Sequence, residues 1–114
     1  MRKQIWAKYG GRCAYCGHEI TPQGMQVDHI EPIFRGRMQL PEEIERLNRP
    51  DNLNPACRSC NHRKSTMTVE EFREEIAAQV RRMRRDSNQY RLAERFGLVV
   101  ATDVPVKFWF ECGI

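Results

Sequence analysis

The sequence has no long apolar run. Nothing in it approaches the roughly 18 to 20 consecutive apolar residues that a membrane-spanning helix needs, and Met1-Arg2-Lys3-Gln4-Ile5-Trp6 lacks the apolar stretch of a secretory signal. The expected location is cytoplasmic, with no membrane partner. Internal repeats, low-complexity tracts and linker-like stretches are missing as well, which excludes a repeat array and a string of tethered domains. With 114 residues, one domain is expected over 1–114.

Apolar content is modest. Hydrophobic residues make up 40% of the chain and the mean hydropathy is -0.69, so one core forms but a small one, of the kind often reinforced by a covalent or metal staple. A large charge excess is missing too. Nineteen Lys and Arg against 15 acids leave +4, with an isoelectric point near 9.0. That balance suits a polyanionic partner, and it suits a solvated basic surface equally well.

Cysteine, by contrast, is plentiful and ordered. Reducing compartments keep thiols free, so five cysteines in such a chain point to metal binding or reactivity before disulfides. Four stand as Cys13-x-x-Cys16 and Cys57-x-x-Cys60. Two such turns give a tetrahedral zinc its four soft donors at about 2.3 Å each and leave no open position, which makes the ion structural. The alternative is four unligated core cysteines. Cys112 reads as a small buried hydrophobe, and His18 as an exposed residue of the first knuckle.

Local patterns place these residues. Ile5, Trp6 and Tyr9 recur at helical spacing over residues 2–9, and Gly10-Gly11 stops the pattern. Residues 25–30 alternate like a strand, and Pro41 to Asn48 read as a short helix with Pro first and acids behind it. A second strand is expected over Asp51 to Ala56, with a break at Asn54-Pro55, and a two-turn helix from the second knuckle through Lys64. Thr68-x-x-Glu71 is a capping box opening one long helix that carries Val69, Phe72, Ile76, Val80 and Met83. Asn88 to Phe96 form a further helix ended by Gly97, and 98–100 and 104–110 read as strands. Trp6, Phe72, Phe96, Trp109 and Phe110 are the candidate core aromatics.

The zinc would pin the ends of residues 17–56, more chain than a minimal zinc ribbon needs. Inside and beside that segment stand Val27-Asp28-His29-Ile30-x-Pro32, then Asn52-Leu53, then Cys57-x-x-Cys60-Asn61-x-x-Lys64. In this order, over about residues 2–75, the set resembles the HNH endonucleases. The resemblance implies an α+β fold: a small ββα-metal core with a structural zinc, flanked by helices and a short C-terminal β segment. The motif core would occupy about 10–66 and the extension 67–114.

The resemblance also implies roles. His29 becomes the general base, since imidazole is the side chain that ordinarily titrates near neutrality. Asp28 and Asn61 become ligands of one catalytic Mg²⁺ or Mn²⁺, which prefers hard oxygen donors. Asn61 departs from the family pattern, where His is commonest, and so leaves the choice of metal open. Its neighbour His62 is turned by about 100° on a helix and reads as a phosphate contact or a surface residue. Asn52 is expected to hold the loop that orients His29; a plain Asx-turn is the alternative. Adjacent strand residues face opposite ways, so Asp28 and His29 converge on one phosphate only if the strand bends. Lys64, Arg58, Arg63, Arg35 and Arg37 are candidate contacts to backbone phosphates, and the Arg81 to Arg85 cluster reads better as a solvated helix end.

The expected function is metal-dependent hydrolysis of DNA phosphodiester bonds to 5′-phosphate and 3′-hydroxyl ends, with RNA still open as a substrate. A monomer would nick and a homodimer would cut both strands, with a protein partner supplying specificity. The alternative is a non-catalytic zinc-stapled nucleic-acid-binding module, which has no use for Asp28, His29 and Asn61 together. A protein-interaction zinc domain is a third reading.

Overall fold

The computed structural model describes residues 1–33 and 40–112; Arg35 and Arg37 lie outside the described residues. The chain divides into two compact units, Met1–Phe72 with Lys107–Ile114, and Arg73–Val106. The motif span 10–66 falls wholly in the first. Among the described residues no helix is long and apolar enough to cross a membrane.

The first unit opens with α1, Arg2–Ala7. Its Ile5 packs with Met25 and Leu53 in a small core rimmed by Trp6, Ile20 and Val27, as the helical spacing predicts. The indole of Trp6 keeps its polar edge satisfied by donating to the Ile20 carbonyl at 2.8 Å. The chain then turns tightly round that ring. Gly11 has φ +78°, and a Cβ there would lie 2.7 Å from the indole, so glycine is required on both counts.

β1, Gln26–His29, pairs antiparallel with β2, Leu53–Ala56, in the register Gln26 to Ala56 and His29 to Leu53. The expected break at Asn54-Pro55 does not occur. Pro55 sits inside β2 opposite Val27, where a two-stranded sheet tolerates its missing N–H, and its carbonyl accepts from Ala14 N at 2.8 Å. Between the strands, α2, Pro41–Leu47, starts with proline, Glu42 and Glu43 and buries Leu47. A 3-10 turn, Pro50–Asn52, leads into β2.

α3, Arg58–Lys64, follows directly, with Cys57 as its N-cap; two strands and this helix are the ββα core. The capping box before α4, Val69–Ala77, forms as expected: Thr68 N donates to the Glu71 carboxylate at 2.9 Å and Glu71 N to the Thr68 hydroxyl at 3.2 Å.

The C-terminal β segment expected from the sequence is not formed among the described residues. The tail bonds to the first knuckle instead, Trp109 N to Tyr15 O at 3.0 Å and Phe110 N to Ala14 O at 2.8 Å, and closes in a 3-10 turn, Trp109–Glu111. Its aromatic residues, which read as strand formers, serve as rings. Phe108 stacks on Phe72 at 5.2 Å, and Tyr15 meets both edge-on at 5.2 and 5.3 Å. Gly17, φ +78°, lets the knuckle approach Trp109, whose ring would stand 2.6 Å from a Cβ there. Cys112, expected to be buried, is exposed.

The second unit takes in α4 from Arg73 onward, then α5, Gln79–Asp86, and α6, Asn88–Arg95. The single long helix expected after Thr68 is interrupted at Ala78. The Gln79 side-chain amide reaches the Glu75 carbonyl at 2.8 Å, the acceptor that its own helical N–H would use. Ser87 caps α6 by accepting from Tyr90 N. Gly97 and Leu98 close it with bonds to Glu94 O and Ala93 O at 3.0 and 2.9 Å. Arg84 grips Glu94 with two nitrogens, at 3.0 and 2.7 Å. Phe96, expected in the core, is 77% exposed.

Candidate active site

The sulfurs of Cys13, Cys16, Cys57 and Cys60 all lie within 4.8 Å of one another. A tetrahedron of about 2.3 Å bonds has edges of about 3.8 Å, and Cys16 Sγ and Cys57 Sγ stand 3.8 Å apart. Backbone N–H groups already point at the sulfurs, Tyr15 N at Cys13 and Cys60 N at Cys57. The thiols conflict over charge. Hydrogen bonding to Cys60 draws the Cys13 thiol down to about 4, burial pushes Cys16 up to about 11, and the bond to Cys13 drives Cys60 upward. Four thiolates at this spacing need a divalent cation among them, and the donor set fits zinc.

On β1, Asp28 points into the protein and is 3% exposed. The Tyr15 hydroxyl donates to its Oδ2, and the Lys64 ammonium lies 3.3 Å from Oδ1 and 3.2 Å from Oδ2. Burial raises the carboxyl above its ordinary range, with Tyr15 and then Lys64 pulling the other way. Burial, and then the charge of Asp28, raises the Tyr15 phenol. Two carboxylate oxygens offer about four lone-pair positions, more than these two donors use. A carboxylate and an amide oxygen, here Asp28 and Asn61, are hard donors that fit Mg²⁺ or Mn²⁺.

His29 ends β1 and is half-buried. Its Nε2 stands 2.9 Å from Asn48 Oδ1, on the residue that caps α2. The loop beyond it is fastened by Asn52, whose Oδ1 accepts from Glu31 N at 2.8 Å. The Asn52 Nδ2 donates to Glu31 O at 3.0 Å and to Leu47 O at 2.8 Å. Arg46 adds a two-pronged pair with Glu31 at 2.8 and 3.1 Å, which holds the Glu31 carboxyl below its usual range.

One expectation is corrected here: Lys64 cannot reach a backbone phosphate from its place in the fold. Its side chain is 0% exposed, tied to Asp28 and to the His29 carbonyl at 2.9 Å and the Ile30 carbonyl at 3.4 Å. Asn61 lies three residues before it on α3, a neighbouring position on the helix surface. Among the described residues no side-chain bond joins Asn61 to Asp28. Arg58, His62 and Arg63 are exposed on the same helix. Of the Arg81 to Arg85 cluster, Arg82 pairs with Glu75, Arg84 with Glu94 and Arg85 with Asp86. Arg35 and Arg37 lie outside the described residues.

Two residues went unread in the sequence. Tyr15, inside the first knuckle, reaches Asp28 from 13 positions away, and Asn48 meets His29 across 19. Neither belongs to a spacing pattern, because both contacts depend on how segments dock.

Residues 13–77 match a family model described as HNH endonuclease, a span that includes the four clustered cysteines, Asp28, His29, Asn52 and Asn61. The chain is also similar to the crystal structure of the Type II-C Cas9 enzyme from Actinomyces naeslundii, with 29% identity and a TM-score of 0.53, over 66% of this chain and 7% of that one. The likeness thus spans a small part of that enzyme. No curated protein matches the chain. With more than half of its residues inside the family match, and with the ββα core and cysteine cluster in place, the chain belongs to the HNH endonucleases.

Proposed function

We propose that the chain is a metal-dependent endonuclease that hydrolyses DNA phosphodiester bonds with His29 as general base. The observation that carries this reading is the setting of His29: its ring is anchored by Asn48, its following loop is fastened by Asn52, and the buried carboxylate of Asp28 lies next along the strand. A group fixed on the end of a strand, with its loop clamped on both sides, is preorganised for proton abstraction.

In the reaction, His29 takes a proton from a water molecule as the water oxygen bonds to phosphorus. The bond from phosphorus to the 3′ oxygen breaks, its electron pair stays on that oxygen, and the oxygen takes a proton from solvent. The products are 5′-phosphate and 3′-hydroxyl ends. Asp28 and Asn61 would hold Mg²⁺ or Mn²⁺, which would stabilise charge on the phosphate and on the leaving oxygen. Asn52 keeps the His29 loop in register. The four cysteines hold a structural zinc, which fixes α3 against the first knuckle. Arg58, His62 and Arg63, exposed on α3, meet backbone phosphates in this reading, contacts that position a strand without reading its sequence. A monomer carries one such site and nicks; a homodimer cuts both strands.

Cleavage of supercoiled plasmid and of labelled RNA, across a panel of divalent metals with end-group analysis, tests the reading. Nicked DNA with 5′-phosphate ends, dependent on Mg²⁺ or Mn²⁺, is expected. Salt-sensitive binding without turnover in any metal would replace the nuclease by a binding module.

A further inference from the structure

We infer that Asn48 is a positioning residue for His29, fixing which ring nitrogen carries the hydrogen and therefore which one takes the proton from water. The inference rests on the nuclease reading of His29 and adds a residue and an atom to it. Asn48 Oδ1 lies 2.9 Å from His29 Nε2. An amide oxygen only accepts, so Nε2 carries the hydrogen, and in a neutral imidazole Nδ1 then holds the free lone pair. Among the described residues no group is bonded to Nδ1. The base is therefore Nδ1. Once it has taken a proton, the Nε2–H bond to Asn48 becomes charge-assisted and strengthens.

Asn48 is itself held in place. Its backbone N bonds back to Ile44 O and Glu45 O at 3.1 and 3.2 Å, ending α2. The preceding residue, Leu47, is buried, and its carbonyl receives Asn52 Nδ2 at 2.8 Å. Because Asn52 also bonds both backbone groups of Glu31, a single side chain fastens the segment after His29 to the helix end that carries Asn48. The Arg46 to Glu31 pair repeats the connection on the surface. Acceptor and imidazole are thus mounted on one clamped assembly, the condition under which a hydrogen bond orients a ring and does not merely follow it.

The test uses the full chain loaded with zinc. Long-range ¹H–¹⁵N spectra identify the tautomer of His29, whose signals are assigned by their loss in His29→Ala and are separate from those of His18 and His62. Wild type should show the Nε2–H form. Asn48→Leu should populate the Nδ1–H form and lower kcat on the order of 10- to 100-fold with KM little changed. Asn48→Asp, which keeps the acceptor, should restore the Nε2–H form and most of the rate. An Nδ1–H ring in wild type, or an Asn48→Leu protein with unchanged spectrum and unchanged kcat, overturns the inference. A His29→Ala protein that cleaves at the wild-type rate removes the nuclease reading, and the part of Asn48 in catalysis with it; the spectra still decide the tautomer.

Discussion

Lys64 on α3 and Asp28 on β1 form an ion pair 3.2 Å apart with the two side chains 0% and 3% exposed. Taking two charges out of water is costly, and their attraction with the surrounding hydrogen bonds only offsets that cost. Lys64 also donates to the His29 and Ile30 carbonyls, which places the end of β1 under its control. Removing one partner leaves the other charge buried and unpaired. Lys64→Met should therefore cost about 3–5 kcal/mol, while Lys64→Met with Asp28→Asn should recover a large part of the loss. Denaturant unfolding of the single and double variants reads both; a single variant within 1 kcal/mol of wild type is incompatible with the pair.

Asp28 also sets a pH dependence. Burial holds its carboxyl above the ordinary range, so the fold favours its protonated form. That contribution is complete below the unfolded value of about 3.9 and is lost as pH rises through the folded value. Wild-type protein should accordingly lose stability relative to Asp28→Asn as pH rises from about 4 toward neutrality. Urea unfolding of both proteins in magnesium-free buffer measures the difference, from which the titration of the shared cysteines cancels. Parallel curves would contradict the assignment.

Zinc should be a condition of folding for the first unit. Its four sulfurs join two knuckles far apart in sequence, and a site of this type contributes its binding energy as folding energy. Chelation, or Cys57→Ser, should abolish the near-ultraviolet circular dichroism that the packed Tyr15, Phe72 and Phe108 rings give. Full retention of that signal in metal-free protein would show that the staple is dispensable.

Asn52 makes three hydrogen bonds that fasten the His29 loop to α2. Asn52→Ala should lower stability by about 1–3 kcal/mol and lower cleavage further than that loss of folded protein explains. Rates normalised to zinc-loaded folded protein make the comparison. A variant with reduced stability and a full normalised rate would make Asn52 structural only.

The readable parts of the molecule were those whose physics is local. Two Cys-x-x-Cys turns announce a four-sulfur cluster by spacing, the Thr68 box announces a helix start, and Asp28-His29, Asn52 and Asn61 announce by their order the family whose model matches residues 13–77. What escaped was set by docking. Lys64 reads as a surface cation because lysine is almost never buried unless paired, and its partner lies 36 positions away. The aromatic tail reads as strand by composition, yet its rings pack on Phe72 and Tyr15. At the break at Ala78 the Gln79 side-chain amide occupies the Glu75 carbonyl, a contact that helical periodicity does not register.

The central claim is that His29 is the base. The direct measurement is single-turnover cleavage of supercoiled plasmid by wild type and His29→Ala, matched in zinc content and fold, in Mg²⁺ and in Mn²⁺. General-base catalysis of this kind contributes on the order of 10²- to 10⁴-fold, and the variant should lose that much in both metals while still binding DNA. Cleavage by His29→Ala at the wild-type rate would contradict the account.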